Sequence, residues 1–231
     1  MNYIEKLKQD TRFIEGMKAC INCGTCTAIC PAAQYYEYDP RAIVDLMQRK
    51  QNDEIEKLLK SDVIWMCGEC LSCKTRCPRE NVPGYIIQAL RKLSIDTGFF
   101  TESEMGRQQV AIVRTIGKHI LEDGYCIYID KVDTTMFPEQ GPVWDWAKEN
   151  IEIISKQVGA NYHGNGSGSL RKIPTESMDE LHAIFKQTGG TDFFEWIESK
   201  SAEKAKELEL NFIKGEKDEY FYCVYEKNVK M

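Results

Sequence analysis

Eight of the ten cysteines fall into two copies of one spacing. Cys20, Cys23, Cys26 and Cys30 are followed by Pro31, and Cys67, Cys70, Cys73 and Cys77 are followed by Pro78. Each run reads C-x2-C-x2-C-x3-C-P, the ligand pattern of paired [4Fe-4S] clusters in which each fourth cysteine serves the other cluster. Three cysteines spaced by two residues can wrap three corners of a cubane. The fourth is set back by one more residue, and a proline with fixed φ turns the chain away after it. The expectation is that Cys20, Cys23, Cys26 and Cys77 hold one cluster, and Cys67, Cys70, Cys73 and Cys30 the other. Crossing joins two distant segments, so cluster assembly and folding should be coupled. It also keeps the clusters near each other, which favours electron hopping.

Other uses of these thiols fit less well. Disulfides need an oxidising compartment, and Met1 to Lys8 is amphipathic and charged, unlike a secretory leader. Structural zinc sites pair two C-x2-C units across a longer gap, which a triple run does not match. With no stretch of 18 apolar residues the chain is read as lacking a membrane span, and a cytoplasmic location is expected, with membrane association only through partners. The net charge of −6 sits almost wholly beyond residue 100, and each cluster with its thiolates adds about −2. An acidic holoprotein argues against nucleic acid as a partner. Lys74, Arg76 and Arg79, beside the second run, are read as compensating cluster charge.

The helix signals make the chain mainly α. Asp39 caps a helix that begins at Pro40, with Ile43, Leu46 and Met47 on one side. Asn52 or Asp53 caps the next, carrying Ile55, Leu58 and Leu59. Val82-Pro83-Gly84 opens a third, Tyr85 to Ser94. Residues 1–100 therefore read as an α-helical ferredoxin-type module with two [4Fe-4S] clusters. Residues 101–231 read as a mostly helical C-terminal extension, a partner-docking region with short strands. Within it, Glu102 to Leu121 reads as one long helix, and Gly141-Pro142 opens a helix through Trp144 and Trp146. Residues 159–173 read as a loop. Helices follow from Met178 to Gln187 and from Thr191, and 199–209 reads as an exposed helix. Tyr125 to Ile129 has strand propensity, and the tail from Tyr220 to Tyr225 reads as a strand or a docking peptide.

Catalytic constellations are absent from the sequence pattern. His119, His163 and His182 are scattered, and the glycines of 164–168 lack the residues of a phosphate loop. Cys126 and Cys223 read as core thiols, and the four tryptophans as packing residues. The chain is expected to be a non-catalytic electron-transfer component of an oxidoreductase complex.

The segment Cys20-Ile21-Asn22-Cys23-Gly24-Thr25-Cys26-Thr27-Ala28-Ile29-Cys30-Pro31 resembles the first motif of the C-type subunits of heterodisulfide reductases. The stretch from Ser61-Asp62 through Trp65, Cys67, Cys70, Cys73, Arg76, Cys77, Pro78 and Arg79 to Val82-Pro83 resembles the second. The resemblance extends to Ile86-Ile87 and Ala89-Leu90-Arg91 and covers roughly residues 13–100. It implies a helical ferredoxin fold like the iron-sulfur module of succinate dehydrogenase and fumarate reductase, without the plant-type [2Fe-2S] domain. It implies two [4Fe-4S] clusters on all eight cysteines. The implied partners are a CCG-domain protein resembling the family's B-type component, where the disulfide chemistry occurs, and a flavin and iron-sulfur protein resembling its A-type component. The alternative reading is the iron-sulfur subunit of another CCG-domain or quinone-linked oxidoreductase. No specific match is recognised beyond residue 100. Aromatic segments around Trp144, Trp196 and Phe221 are the expected adaptation to a partner.

Overall fold

The computed structural model describes residues 1–136 and 141–229, with side chains of 226–229 excepted. Two short helices, α1 (Tyr3–Leu7) and α2 (Thr11–Gly16), open the chain. Helix α3 (Thr25–Ala28) lies within the first cysteine run. Helix α4 (Pro40–Arg49) starts where the Asp39 carboxylate accepts from the Arg41 and Ala42 amides, with Pro40 in its first turn. Helix α5 (Asn52–Leu59) follows, with Gln51 rather than Asn52 or Asp53 at its cap. Asn52 instead holds the N-terminus, accepting from Tyr3 N and donating to Met1 O.

Helix α6 (Ser72–Arg76) lies within the second cysteine run, and α7 (Pro83–Asp96) runs through the middle of the N-terminal part. Ile86, Ile87, Ala89 and Leu90 on α7 are buried against Leu7, Phe13, Ile43, Val44, Met47, Ile55, Leu59 and Ile64. This core places α4, α5 and α7 behind the two cysteine loops. Gly16 permits the close approach of α2 and α7, since a Cβ there would stand 3.0 Å from Val82 O.

The expected long helix after residue 102 is present but interrupted. It comprises α8 (Glu104–Arg107), α9 (Gln109–Ile112), a π-helical turn (Val113–Gly117) and α10 (Lys118–Asp123). The wider turn coincides with buried Arg114, whose guanidinium reaches Glu198 and Asp218. Helices α11 (Pro142–Glu149), α12 (Ile151–Val158) and α13 (Thr175–Gln187) follow, with residues 159–173 a loop as expected. The segment expected as two helices from Thr191 and over 199–209 is one, α14 (Gly190–Glu207), followed by α15 (Glu219–Val229). One side of its lysine-rich half is buried through Ser201 and Ala205, because α14 packs under Val110, Val113, Tyr220 and Val224.

Three expectations need correction. Among the described residues there is no strand. Residues 125–129 have no neighbouring strand with which to pair, and Tyr125 and Tyr128 stack on each other in a bend. Cys126 is accordingly exposed rather than in the core. The tail is helical, because Tyr220, Phe221 and Val224 recur at helical spacing and are buried. In the aromatic segment around Phe221, Phe221 itself is fully buried and Tyr222 is exposed, as is Trp146.

Candidate metal centre

The two cysteine runs follow the same backbone path. Asn22 and Glu69 both take left-handed φ values, 56° and 53°. Each thereby turns its N–H back onto the preceding cysteine sulfur, Asn22 N to Cys20 Sγ and Glu69 N to Cys67 Sγ, both at 3.4 Å. A second left-handed residue comes two positions later, Gly24 in one run and Leu71 in the other. For leucine this conformation is strained. Leu71 holds it by packing on α7, where a Cβ on Gly84 would come within 2.8 Å of Leu71 Cδ2. Helices α3 and α6 then begin, with Cys26 and Cys73 on their first turns. The hydroxyls of Thr25 and Ser72 lie 3.4 Å from the sulfurs of Cys23 and Cys70.

Helices α3 and α6 pack together, and the two runs frame two cavities. One is lined by Cys20, Cys23, Cys26 and Cys77, together with Arg41, Arg79 and Asn81, and encloses about 20 Å³. The other, about 370 Å³, is lined by Cys26, Cys30, Cys67, Cys70 and Cys73, with Tyr35, Tyr36, Tyr38 and Trp65 among its other lining residues. The smaller cavity thus draws three cysteines from the first run and Cys77 from the second, and the larger draws three from the second run and Cys30 from the first, with Cys26 lining both. Neither is lined by a histidine. His163 pairs with Asp130 at 2.9 Å, and His182 meets the Leu121 carbonyl. Arg79, of the three cations expected to compensate charge, lines the smaller cavity, while Lys74 lies over the Tyr85 ring.

The donor chemistry suits an iron-sulfur group. All ten cysteines are free thiols. Among the described residues, no three candidate ligands already converge at metal-ligand distance; the thiols line the cavities instead. Backbone amides address three of the sulfurs, the third being Asn81 N to Cys77 Sγ at 3.3 Å. Two buried polar side chains lining the cavities carry a donor with no oxygen or nitrogen acceptor: Asn81, through Nδ2, at the smaller, and Tyr38, whose hydroxyl faces the Cys67 thiol, at the larger. Unsatisfied buried donors are uncommon in native folds and call for a partner.

Electrostatics separate the outer thiols from the inner ones. The Thr25 hydroxyl lowers the pKa of Cys23, and the Ser72 hydroxyl lowers that of Cys70. Burial pushes Cys26 up to about 11 and raises Cys73. Burial, with the Cys67 and Cys30 thiols nearby, holds Tyr38 far above the ordinary phenol range.

Braces behind the cysteines were not evident in the sequence. The Gln48 amide accepts from Cys20 N at 2.8 Å and donates to Cys20 O at 3.2 Å. Arg91 donates to the carbonyls of Ile64, Trp65 and Cys67 and to the Glu69 carboxylate. These contacts join residues more than twenty positions apart, so no local spacing announces them. The one available signal is that Gln48 and Arg91 stand on helices bordering the cysteine loops.

Residues 16–81 match the family model described as a 4Fe-4S dicluster domain, which supports iron-sulfur cluster binding. The chain is similar to the C-type subunit of the ferredoxin:CoB-CoM heterodisulfide reductase of Methanosarcina acetivorans, 33% identical over 189 residues, 82% of this chain and 69% of the relative. It is also similar to the C-type subunit of the H(2):CoB-CoM heterodisulfide,ferredoxin reductase of Methanothermobacter thermautotrophicus, 30% identical over 197 residues, 81% of this chain and 88% of the relative. A third relative, the C-type iron-sulfur subunit of the CoB--CoM heterodisulfide reductase of Methanopyrus kandleri, is 29% identical over 150 residues, 63% of this chain and 72% of the relative. Alignments of this length run well past residue 100, so the C-terminal part shares in the similarity. With both cysteine runs, the helical frame behind them and similarity over four fifths of its length, the chain belongs to the family of heterodisulfide reductase C-type subunits.

Proposed function

We propose that this protein is the electron-transfer subunit of a heterodisulfide-reductase-like complex, relaying electrons through two [4Fe-4S] clusters to or from a CCG-domain catalytic partner. The observation that carries the proposal is the crossed composition of the two cavities. Cys20, Cys23, Cys26 and Cys77 would hold one cluster; Cys67, Cys70, Cys73 and Cys30 would hold the other. Each bound cluster supplies a one-electron reservoir. The chain's residues fix where those reservoirs stand. Gln48 and Arg91 anchor the starts of the two cysteine runs, and the packing of α3 on α6 holds the two sites side by side.

The amides of Asn22, Glu69 and Asn81 are placed to stabilise thiolate charge. The larger cavity is bordered by exposed Tyr35 and Tyr36, so it stands close to the molecular surface. The relatives' names associate them with heterodisulfide reduction. We assign that chemistry to a CCG-domain partner resembling the B-type component, with a flavin and iron-sulfur protein resembling the A-type component as the second neighbour. Among the described residues no helix is long and apolar enough to cross a membrane. The complex is assigned to the cytoplasm, reaching a membrane only through partners.

The test is anaerobic reconstitution followed by iron and sulfide analysis, then affinity purification with identification of the co-purifying proteins. The expected result is about eight iron and eight sulfide per chain, with a CCG-domain protein recovered alongside. Iron settling near two or four in fully reconstituted protein would refute the two-cluster relay.

A further inference from the structure

We infer that the Tyr38 hydroxyl donates a hydrogen bond to the sulfur framework held by Cys30, Cys67, Cys70 and Cys73, and that this bond sets the potential of that cluster alone. The inference rests on the cluster reading given above.

Tyr38 is 4% exposed and belongs to the same core as Ile43, Val44 and Ile64. Its place is fixed from behind. Asp39 and Pro40 start α4 immediately after it, and the Tyr38 amide donates to Tyr36 O at 2.8 Å. The ring therefore has little freedom to turn its hydroxyl to water. That hydroxyl is buried and makes no hydrogen bond of ordinary geometry to another oxygen or nitrogen, and the group it faces is the Cys67 thiol of the cavity that Tyr38 lines. Phenylalanine would fill the same volume without leaving a polar atom in the core. A retained hydroxyl fits a cavity whose occupant accepts a hydrogen bond, and sulfide and thiolate sulfur do so.

Two other unpartnered side-chain donors border the cysteine cavities, and neither has the same case. Trp65 is only half-buried, and its Nε1 lies against α8, where a Cβ on Gly106 would stand 3.0 Å away. Asn81 borders the smaller cavity, but its Oδ1 already accepts from Lys18 N at 2.7 Å, which gives the side chain a role in joining two segments. Tyr38 has no other polar contact to explain its hydroxyl.

One-electron reduction adds negative charge to a cluster. A hydrogen-bond donor stabilises the reduced form more than the oxidised form and so raises the potential. Tyr38 lines the larger cavity and not the smaller one, so the effect should be confined to one cluster. Tyr38 is thus a positioning and tuning residue. It supplies no ligand.

The experiment compares reconstituted wild-type protein with Tyr38→Phe, using EPR-monitored redox titration against a dithionite-poised mediator series. Cys30→Ser and Cys77→Ser identify the two signals. Tyr38→Phe should keep its full iron content. At the applied potential where the wild-type Cys67-side cluster is half reduced, its reduced-to-oxidised ratio should fall several-fold, toward roughly tenfold, or about 59 mV for a one-electron couple. The other cluster should titrate unchanged. Reconstitution in heavy water adds a direct readout: pulsed EPR should detect one exchangeable deuteron coupled to the reduced cluster in wild type and missing in Tyr38→Phe. Full iron with no shift, or an equal shift of both clusters, would overturn the inference and leave the cluster reading intact. Loss of the Cys67-side iron from Tyr38→Phe would also overturn it, in favour of a structural role. Wild-type protein that takes up no iron would instead overturn the cluster reading itself.

Discussion

Arg91 donates to the carbonyl oxygen of Cys67 at 2.6 Å, across 24 positions of sequence. The same guanidinium donates to Trp65 O at 2.9 Å and to Ile64 O at 2.7 Å. One side chain on α7 thus satisfies three carbonyl acceptors on the chain entering the second cysteine run. The planar fork of arginine can address several fixed acceptors at once, which an ammonium does poorly. Glu69 completes the group, but that carboxylate is 41% exposed and the ion pair itself should count for little.

Replacing Arg91 by glutamine should therefore destabilise the reconstituted protein by about 2–3 kcal/mol, the scale of losing charged hydrogen bonds to partly buried carbonyls. Arg91→Lys should recover only a minor part. Denaturant unfolding under anaerobic conditions gives the comparison. A midpoint for Arg91→Gln equal to wild type would show that the carbonyls find other partners. The equivalent change at the first run, Gln48→Ala, should cost less, since a neutral amide is lost there.

Crossed ligation makes a prediction that sequence order alone would not. Cys77→Ser should alter the cluster served by Cys20, Cys23 and Cys26, because Cys77 lines their cavity. Cys30→Ser should alter the cluster of Cys67, Cys70 and Cys73. EPR of each reconstituted variant shows which signal changes. A Cys77→Ser spectrum altered only on the Cys67 side would mean that each run serves its own cluster.

Much of this site was legible in the sequence, and the reason is local. The cysteine spacing dictates the loops, and Asp39-Pro40 and Val82-Pro83 set the starts of α4 and α7 within a residue or two. What escaped was decided by contacts between distant segments. Tyr38, Gln48, Asn81 and Arg91 act through tertiary proximity that no periodicity encodes. Tyr220 to Tyr225 reads as a strand by residue type, since aromatic and β-branched residues favour strands. It is helical because Tyr220, Phe221 and Val224 find a core beside Val110 and Ala111. Arg114 was hidden for the same reason, its partners lying 84 and 104 positions away.

Arg114 yields the third prediction. Its side chain is 1% exposed and meets Glu198 through two hydrogen bonds of 2.8 Å and Asp218 at 2.9 Å. Its guanidinium also lies 4.5 Å from the Phe212 ring centre. Arg114→Met would leave two buried carboxylates without their cation, at a cost of about 3–5 kcal/mol. Limited proteolysis should then cut first in the C-terminal part while the iron content stays near that of wild type. The triple change Arg114→Met, Glu198→Gln and Asp218→Asn should recover part of the loss, because no charge is left stranded. Wild-type protease resistance in Arg114→Met would show that the ion cluster does not hold α14 and α15 to the π-helical turn.

The last prediction concerns the junction between the cluster-bearing part and the rest of the chain. Asp62, just before the second cysteine run, accepts from Ser103 Oγ at 2.7 Å and from Met105 N at 2.8 Å. Trp196 on α14 donates to Ile95 O at 2.7 Å. Phe100 is fully buried among residues of α9, α14 and α15, and Trp65 packs against both major cores. A chain ending at residue 105 would uncover Ile95 and Phe100 and remove the Trp196 donor from the Ile95 carbonyl, leaving it only the Gly98 amide. Exposing a buried side chain of that size costs about 1.5–3 kcal/mol. Truncation should therefore lower the thermal midpoint of the reconstituted N-terminal part and speed its loss of iron, even before any partner is added. Binding of a CCG-domain partner is then best compared between full-length protein and surface variants such as Trp146→Ala, whose residue is exposed and outside both major cores. A truncated chain as stable and as iron-retentive as the whole would show that residues 106–231 contribute nothing to the cluster-bearing part, and would make them a separate appendage.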